Sequence, residues 1–250
     1  MRNYLHRLGN DLLHVIAPAL CPACDAPLTQ SERSYCNACR ASLEPAPFPR
    51  EIYVEIAGYF PGDELALAAI GSLYAFEPRG PVQRLVHALK YRGCYEVGIE
   101  MGRELGRALT MFREFESFDI VVPVPLHTAR RRERGYNQAE AIARGIAGTR
   151  SGVAVEQALT RRQHTVSQTT LGAESRRNNM LRAFAAAGDH VRGLTVLLCD
   201  DVCTTGATLN ACAERLLACG ARKVLAATIA KDLPGSQQPD LDAMLGAAWG

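Results

Sequence analysis

Residues 194–209, LTVLLCDDVCTTGATL, constrain this chain more than any other stretch. The run Leu194 to Cys199 is short, apolar and β-rich, which suits a fully buried strand. Asp200 and Asp201 follow at once, then a hydroxyl-and-glycine loop, Thr204-Thr205-Gly206-Ala207-Thr208. Leu209, Cys212, Ala213, Leu216 and Leu217 then repeat at helical spacing, and Gly220 suits the helix stop. A helix N-terminus carries free N–H groups and partial positive charge, so an anion sits well there. Gly206 lets the backbone approach a phosphate, and Thr204, Thr205 and Thr208 can donate hydrogen bonds to it. Adjacent carboxylates would repel that phosphate. They fit sugar hydroxyls, or a Mg²⁺ that bridges to phosphate. The stretch therefore reads as a site for a ribose 5-phosphate group, or as an ordinary strand–loop–helix turn capped by Asp and Thr.

The 250 residues suffice for one α/β domain plus a small module, and 48% apolar content supports a sizeable core. A net charge of +2 does not by itself imply a nucleic-acid partner. Four of the nine cysteines crowd the N-terminal part as Cys21-Pro-Ala-Cys24 and Cys36-Asn-Ala-Cys39. Two such knuckles make a tetrahedral sulfur site for a structural Zn²⁺, with disulfides or a redox CxxC as the other readings. The rest are scattered through apolar patterns, the cysteine usage of a cytoplasmic protein. No stretch is long enough for a membrane helix, and Leu12 to Leu20 reads as a short amphipathic helix rather than a signal peptide. The expected division is an N-terminal helix and four-cysteine zinc-binding module over 1–45, an α/β domain over 46–232, and a loose tail over 233–250.

Glu44-Pro-Ala-Pro-Phe-Pro49 reads as a linker, and Glu51 to Ile70 gives no clear pattern. Ser72 to Glu77 reads as a strand. Pro81 opens a helix with Val82, Leu85, Val86 and Leu89 on one face, and a second helix spans about Glu96 to Phe112. Lys90 and Arg92 end the first of these, where the helix dipole alone could explain them. Asp119 to Leu126 is a buried strand ending in prolines. The basic run Arg130 to Arg134 follows, then a helix with Ala139, Ile142, Ala143, Ile146 and Ala147 inward. Cations just past a strand's C-terminal end lie where open α/β sheets bind ligands; a solvated basic loop is the plainer reading. Leu159 to Phe184 is polar and cationic, a candidate arm or hood. Lys223 to Ala230 is a further buried strand. Cys203 reads as a small buried residue, since no base lies near it in sequence.

Cys199-Asp200-Asp201-Val202-Cys203-Thr204-Thr205-Gly206-Ala207-Thr208 resembles the phosphoribosyl pyrophosphate (PRPP) motif of type I phosphoribosyltransferases. In order along the chain, the paired CxxC, Gly80-Pro81, Leu85, Lys90-Tyr91-Arg92-Gly93, Val122-Pro-Val-Pro-Leu126, Arg134-Gly-Tyr-Asn-Gln138, Arg161, Thr165, Gln168, Arg176, Asn179 and Ala183-Phe184 resemble the ComF family (ComFC or GntX-like) over about residues 18–231. The resemblance implies a parallel sheet flanked by helices, preceded by a zinc ribbon held by Cys21, Cys24, Cys36 and Cys39. It implies ribose contacts at Asp200 and Asp201 and 5′-phosphate contacts at Thr204, Thr205, Gly206, Ala207 and Thr208. It implies further substrate contacts at Lys90, Arg130, Arg134, Asn137, Gln168 and Arg176, with Mg²⁺ accompanying PRPP. Fuller family members carry two zinc ribbons; this chain has cysteines for one, and none lies between Pro45 and Tyr59.

Two function classes follow. One is a phosphoribosyltransferase, in which departure of pyrophosphate builds positive charge on C1′ and the protein orients and stabilises the leaving group. The acceptor is a nitrogenous base that the sequence does not identify. The other, which the family's link to DNA uptake in natural transformation implies, is a non-catalytic protein that binds single-stranded DNA or nucleotide and partners a helicase-like protein. Aromatics make up only 6% of the chain; Tyr136 and Phe184 are the candidates for stacking bases beside arginines.

Overall fold

The computed structural model describes residues 19–60, 62, 65–161, 183–186 and 190–233. The proposed N-terminal helix and C-terminal tail, and most of the Leu159–Phe184 arm, lie outside these. The elements are α1 (Asn37–Ala41), α2 (Pro49–Ala57), β1 (Ala69–Phe76), α3 (Pro81–Tyr91), α4 (Tyr95–Leu109), β2 (Ile120–Pro123), α5 (Thr128–Arg134), α6 (Gln138–Ala147), β3 (Ala154–Val155), β4 (Leu159–Arg161), β5 (Phe184–Ala186), β6 (Thr195–Cys203), α7 (Ala207–Ala218) and β7 (Lys223–Asp232).

Five strands form one sheet in the order β1-β7-β6-β2-β3, every neighbouring pair parallel. Leu197 sits opposite Val121 and Leu225, and Leu198 opposite Val122 and Ala226. Central parallel strands are covered on both faces, which is why β6 and β7 read as continuous apolar runs rather than alternating ones. Leu197, Cys199, Val121 and Leu225 join α3, α4 and α6 in one core cluster. Val196, Leu198, Val122 and Ala226 join α2 and α7 in the other. The sheet is therefore a filling between two helical layers. Helices α4 and α6 approach so closely that a Cβ on Gly102 or Gly145 would strike the other helix's backbone.

Several expectations are corrected. The strand expected to stop at Cys199 continues to Cys203, so both aspartates are strand residues, with Asp200 opposite Thr228 and Cys203 opposite Lys231. The basic run forms helix α5, ended by Gly135 at a positive φ of 79°. The second helix stops at Leu109, and Phe112 leads into a 3₁₀ turn, Arg113–Phe115. The patternless stretch begins with α2, which has Pro49 at its first turn and whose Phe48 N–H donates to Glu51 Oε2 at 2.9 Å. Only Pro49, Ile52 and Ile56 of α2 are buried, too few apolar anchors to reveal a period. The proline-rich segment before it lies along the open edge of β1: Ala46 N–H donates to the Leu73 carbonyl at 3.1 Å, and Ala75 N–H to the Glu44 carbonyl at 2.9 Å. An otherwise unpaired edge is thereby covered.

The cysteine-bearing segment rests against α3 and α4, and its Cys21, Ala23, Leu28, Tyr35 and Leu43 belong to the same apolar cluster as Leu85 and Leu105. Tyr35 is fully buried and donates its hydroxyl to Glu104 at 2.7 Å; Tyr74 on β1 donates to the same carboxylate at 2.8 Å. Arg40 pairs with Glu104 and lies 4.5 Å over the Tyr35 ring. Among the described residues, no helix is long and apolar enough to cross a membrane.

Candidate functional site

Strand β6 ends at the C-terminal edge of the sheet, and Thr204 and Thr205 stand exposed just beyond it. Gly206 takes a positive φ of 75° and starts α7. Among the described residues no side chain caps α7, which leaves its first N–H groups and the dipole's positive end for an anion. Glycine is needed here twice over. Its φ disfavours an L side chain, and a Cβ would lie 2.7 Å from Ile56 Cγ2 of α2.

Successive strand side chains point to opposite faces, so the two acids separate. Asp201 is buried on the α3 side, where Lys90 Nζ lies 3.2 Å from its Oδ2. That contact is an ion pair rather than an aligned hydrogen bond, since Oδ2 has no geometrically satisfactory donor among the described residues. Lys90 is itself buried, so it does more than serve the helix dipole. Asp200 keeps a rim of exposure and accepts from the Asp201 N–H at 2.8 Å. Its carboxyl is pushed up to about 7, first by burial and second by the Asp201 charge; Lys90 and Arg161 oppose the rise. The pair therefore holds one firmly neutralised acid and one poised near neutrality.

The end of α3 also meets α5. Arg134 donates to the Tyr91 hydroxyl at 3.1 Å and lies 4.8 Å over its ring. Arg130 is half-buried on the same short helix. Asn137 is buried and turned inward: it donates to the Val124 carbonyl at 3.0 Å and accepts from Ala139 N–H at 3.1 Å, tying β2 to the start of α6. Gln168 and Arg176 lie outside the described residues. The stacking candidates are both engaged within the fold. Tyr136 donates to the Leu89 carbonyl and meets Tyr95 edge-on at 5.2 Å, and Phe184 is buried beneath Arg161. Cys203 is buried and its thiol is pushed up to about 12 by that burial, which suits a packing role rather than a nucleophile.

Two residues at this edge escaped the sequence reading. Lys231, near the end of β7, is only 1% exposed, and its Nζ donates to Glu55 Oε1 at 2.8 Å and to the Thr204 carbonyl at 3.2 Å. Glu55 comes from α2. The signal available was a lysine directly after the apolar run Val224–Ala230; its partner lay in the stretch without pattern.

The four cysteines present their sulfurs within 4.8 Å of one another. Cys24 Sγ and Cys36 Sγ are 3.6 Å apart, close to the roughly 3.8 Å edge of a tetrahedron with Zn–S bonds of about 2.3 Å. Cys36 N–H points at Cys21 Sγ (3.4 Å) and Cys39 N–H at Cys36 Sγ (3.3 Å), donors that suit thiolates. The donor set fits zinc.

The parallel sheet, the acid-bearing strand end and the threonine loop define a class. The phosphoribosyl transferase domain model matches residues 110–244, and the chain belongs to that family. Its relatives are narrower in kind. Over 234 residues the chain is 29% identical to DNA utilization protein YhgH of Salmonella typhi, covering 83% of this chain and 94% of that protein. Over 228 residues it is 26% identical to Competence protein F of Haemophilus influenzae, covering 88% and 93% respectively. Competence protein ComFC of Bacillus subtilis is 25% identical over 211 residues, covering 82% of this chain and 74% of that protein. The chain is a homologue of these proteins.

Proposed function

We propose that residues Asp200–Thr208 bind PRPP or another ribose 5-phosphate group. The observation that carries this reading is the uncapped start of α7 behind exposed Thr204 and Thr205, next to a carboxyl poised near neutrality. The phosphate would sit on the loop N–H groups and threonine hydroxyls. The ribose 2′ and 3′ hydroxyls would donate to Asp200, with Asp201 held by Lys90 behind it. Arg130 and Arg134 of α5 would meet the pyrophosphate, and Gln168 and Arg176 would complete the grip from the arm. Mg²⁺, when bound with PRPP, supplies neutralisation of the pyrophosphate charge. Zn²⁺ in the four-cysteine cluster would be structural, because four thiolates leave no open coordination position.

Isothermal titration with PRPP, with and without Mg²⁺, tests this reading. The expected outcome is micromolar, Mg²⁺-dependent binding that strengthens as pH rises from about 6 to about 8. Ionising Asp200, whose carboxyl sits at about 7, creates the acceptor that ribose hydroxyls need. Absence of binding in a folded, zinc-loaded sample would sink the assignment. A base screen for pyrophosphate release then asks whether binding leads to transfer.

The relatives named for competence and DNA utilization support a role in the handling of DNA; a cytoplasmic location and a helicase-like partner are part of the proposal. A non-catalytic binder of single-stranded DNA or nucleotide is the second reading. With Tyr136 and Phe184 engaged in the fold, such binding would rest on phosphate contacts, and its affinity should fall steeply with salt. Retained DNA affinity at high salt would argue against it.

A further inference from the structure

Helix α2 lies outside the matched phosphoribosyl transferase segment, yet two of its residues, Glu55 and Ile56, bear on the threonine loop. Glu55 Oε1 accepts from Lys231 Nζ at 2.8 Å. The same ammonium donates to the Thr204 carbonyl at 3.2 Å and to the Asp232 carbonyl. One residue further along α2, Ile56 is fully buried and fills the space in front of Gly206.

A buried lysine needs its charge matched and its N–H donors satisfied. Glu55 supplies the charge, and the two carbonyls take the remaining donors. The Thr204 carbonyl is therefore fixed to an ammonium whose position is set from another element. A carbonyl held this way fixes the peptide plane of Thr204–Thr205, and with it the direction of the Thr205 N–H. Ile56 bounds the next peptide from the side, through the position that admits no Cβ. Charge on one side and shape on the other define the height of the loop above the sheet.

We propose that Glu55, Ile56 and Lys231 are positioning residues that hold the Thr204–Thr208 loop in its anion-accepting shape, making α2 a working part of the site. The proposal deepens the phosphoribosyl reading and rests on it for the identity of the ligand; the clamp itself is a statement about the free loop. Lys231 is satisfied by the chain's own oxygens, so its role passes through Thr204.

Two measurements separate the clamp from the ligand reading. In the ligand-free protein, the ¹H–¹⁵N resonances of Thr205 and Gly206 should shift or broaden in Glu55→Gln and in Lys231→Met. The exposed-face control Val54→Thr should leave them in place. Resonances unchanged in a folded Glu55→Gln protein would overturn the clamp, whatever the protein binds. In titrations with PRPP, each single variant should weaken binding by about tenfold, the effect of losing one charge-assisted contact. The double variant should weaken it no further than the worse single one, because both changes cut the same tether. Fully additive losses would overturn the clamp. If Lys231→Met does not fold, Glu55→Gln alone decides, since it keeps the size and polarity of the side chain. Wild-type protein that fails to bind PRPP would remove the ligand reading while the resonance test still judged the clamp.

Discussion

Two acids in this molecule, Glu104 and Asp200, sit in different regions and differ entirely in how their charge is met. Glu104, at the seam between the cysteine-bearing segment and α4, accepts from two tyrosine hydroxyls and pairs with Arg40. It is finished: its acceptor capacity is taken up by protein. Asp200 has one backbone N–H, a neighbouring carboxylate and a carboxyl at about 7. It is left incomplete, with exposed threonines and an uncapped helix beside it. Saturated polar clusters hold elements together, while under-satisfied ones at a sheet's C-terminal edge wait for a ligand.

The strongest way to break this contrast is to deny metal to the four-cysteine cluster beside the seam. Chelation, or Cys36→Ser, should abolish folding of the cysteine-bearing segment, since zinc binding supplies about 10 kcal/mol or more in comparable small modules. Circular dichroism and loss of the Tyr35 environment would report it. Retention of full structure without metal would show that the apolar cluster alone suffices. Next in size, Glu104→Ala should cost about 3 kcal/mol in urea unfolding by stranding the hydroxyls of buried Tyr35 and half-buried Tyr74 and the charge of Arg40. Little change there would mean the seam is wetter than its contacts indicate.

At the site the acids should behave oppositely. Asp201→Asn removes the charge that neutralises buried Lys90 and should destabilise by about 2 kcal/mol. Gly206→Ala should cost about 1–2 kcal/mol through its positive φ and Ile56, and should also weaken PRPP binding. The last of these effects has the other sign. The Asp200 carboxyl is raised in the fold from 3.8 to about 7, so its favourable contribution is complete below about pH 4 and lost as pH rises through 7. Asp200→Asn should therefore gain on wild type in melting temperature between about pH 4 and 7, level off above that, and still lose ligand affinity. A variant that is destabilised at about pH 8 would place Asp200 among the finished acids.

Much of this was legible in sequence because the chain's local signals agree with its fold. Leu194–Cys199 was apolar over the length of a strand, and Val82, Leu85, Val86 and Leu89 repeated at helical spacing; all four are buried. The paired CxxC spacing carried the four-cysteine cluster directly. What escaped was non-local. Lys90 and Asp201 are 111 positions apart (201 minus 90), and their pairing depends on where α3 ends relative to β6. Glu55 and Lys231 come from opposite ends of the described chain, and neither carries a motif. The strand's continuation through two aspartates was missed because carboxylates end most strand patterns; here a lysine from another layer accommodates one of them.

The strand order has a consequence for how the molecule comes into being. Ala69 lies opposite Leu225, a separation of 156 residues (225 minus 69), and β7 is the partner of both β1 and β6. A chain emerging from the ribosome makes β1 early and then has no strand to lay beside it until its last described element appears. Loop closure over that distance is a slow step for a parallel sheet. The Glu44–Ala46 segment, already synthesised, can occupy the outer edge of β1 throughout that interval. The final strand then enters between two waiting neighbours, and in the same movement Lys231 arrives beneath the threonine loop. Insertion of the last described strand and assembly of the candidate site are thus a single event.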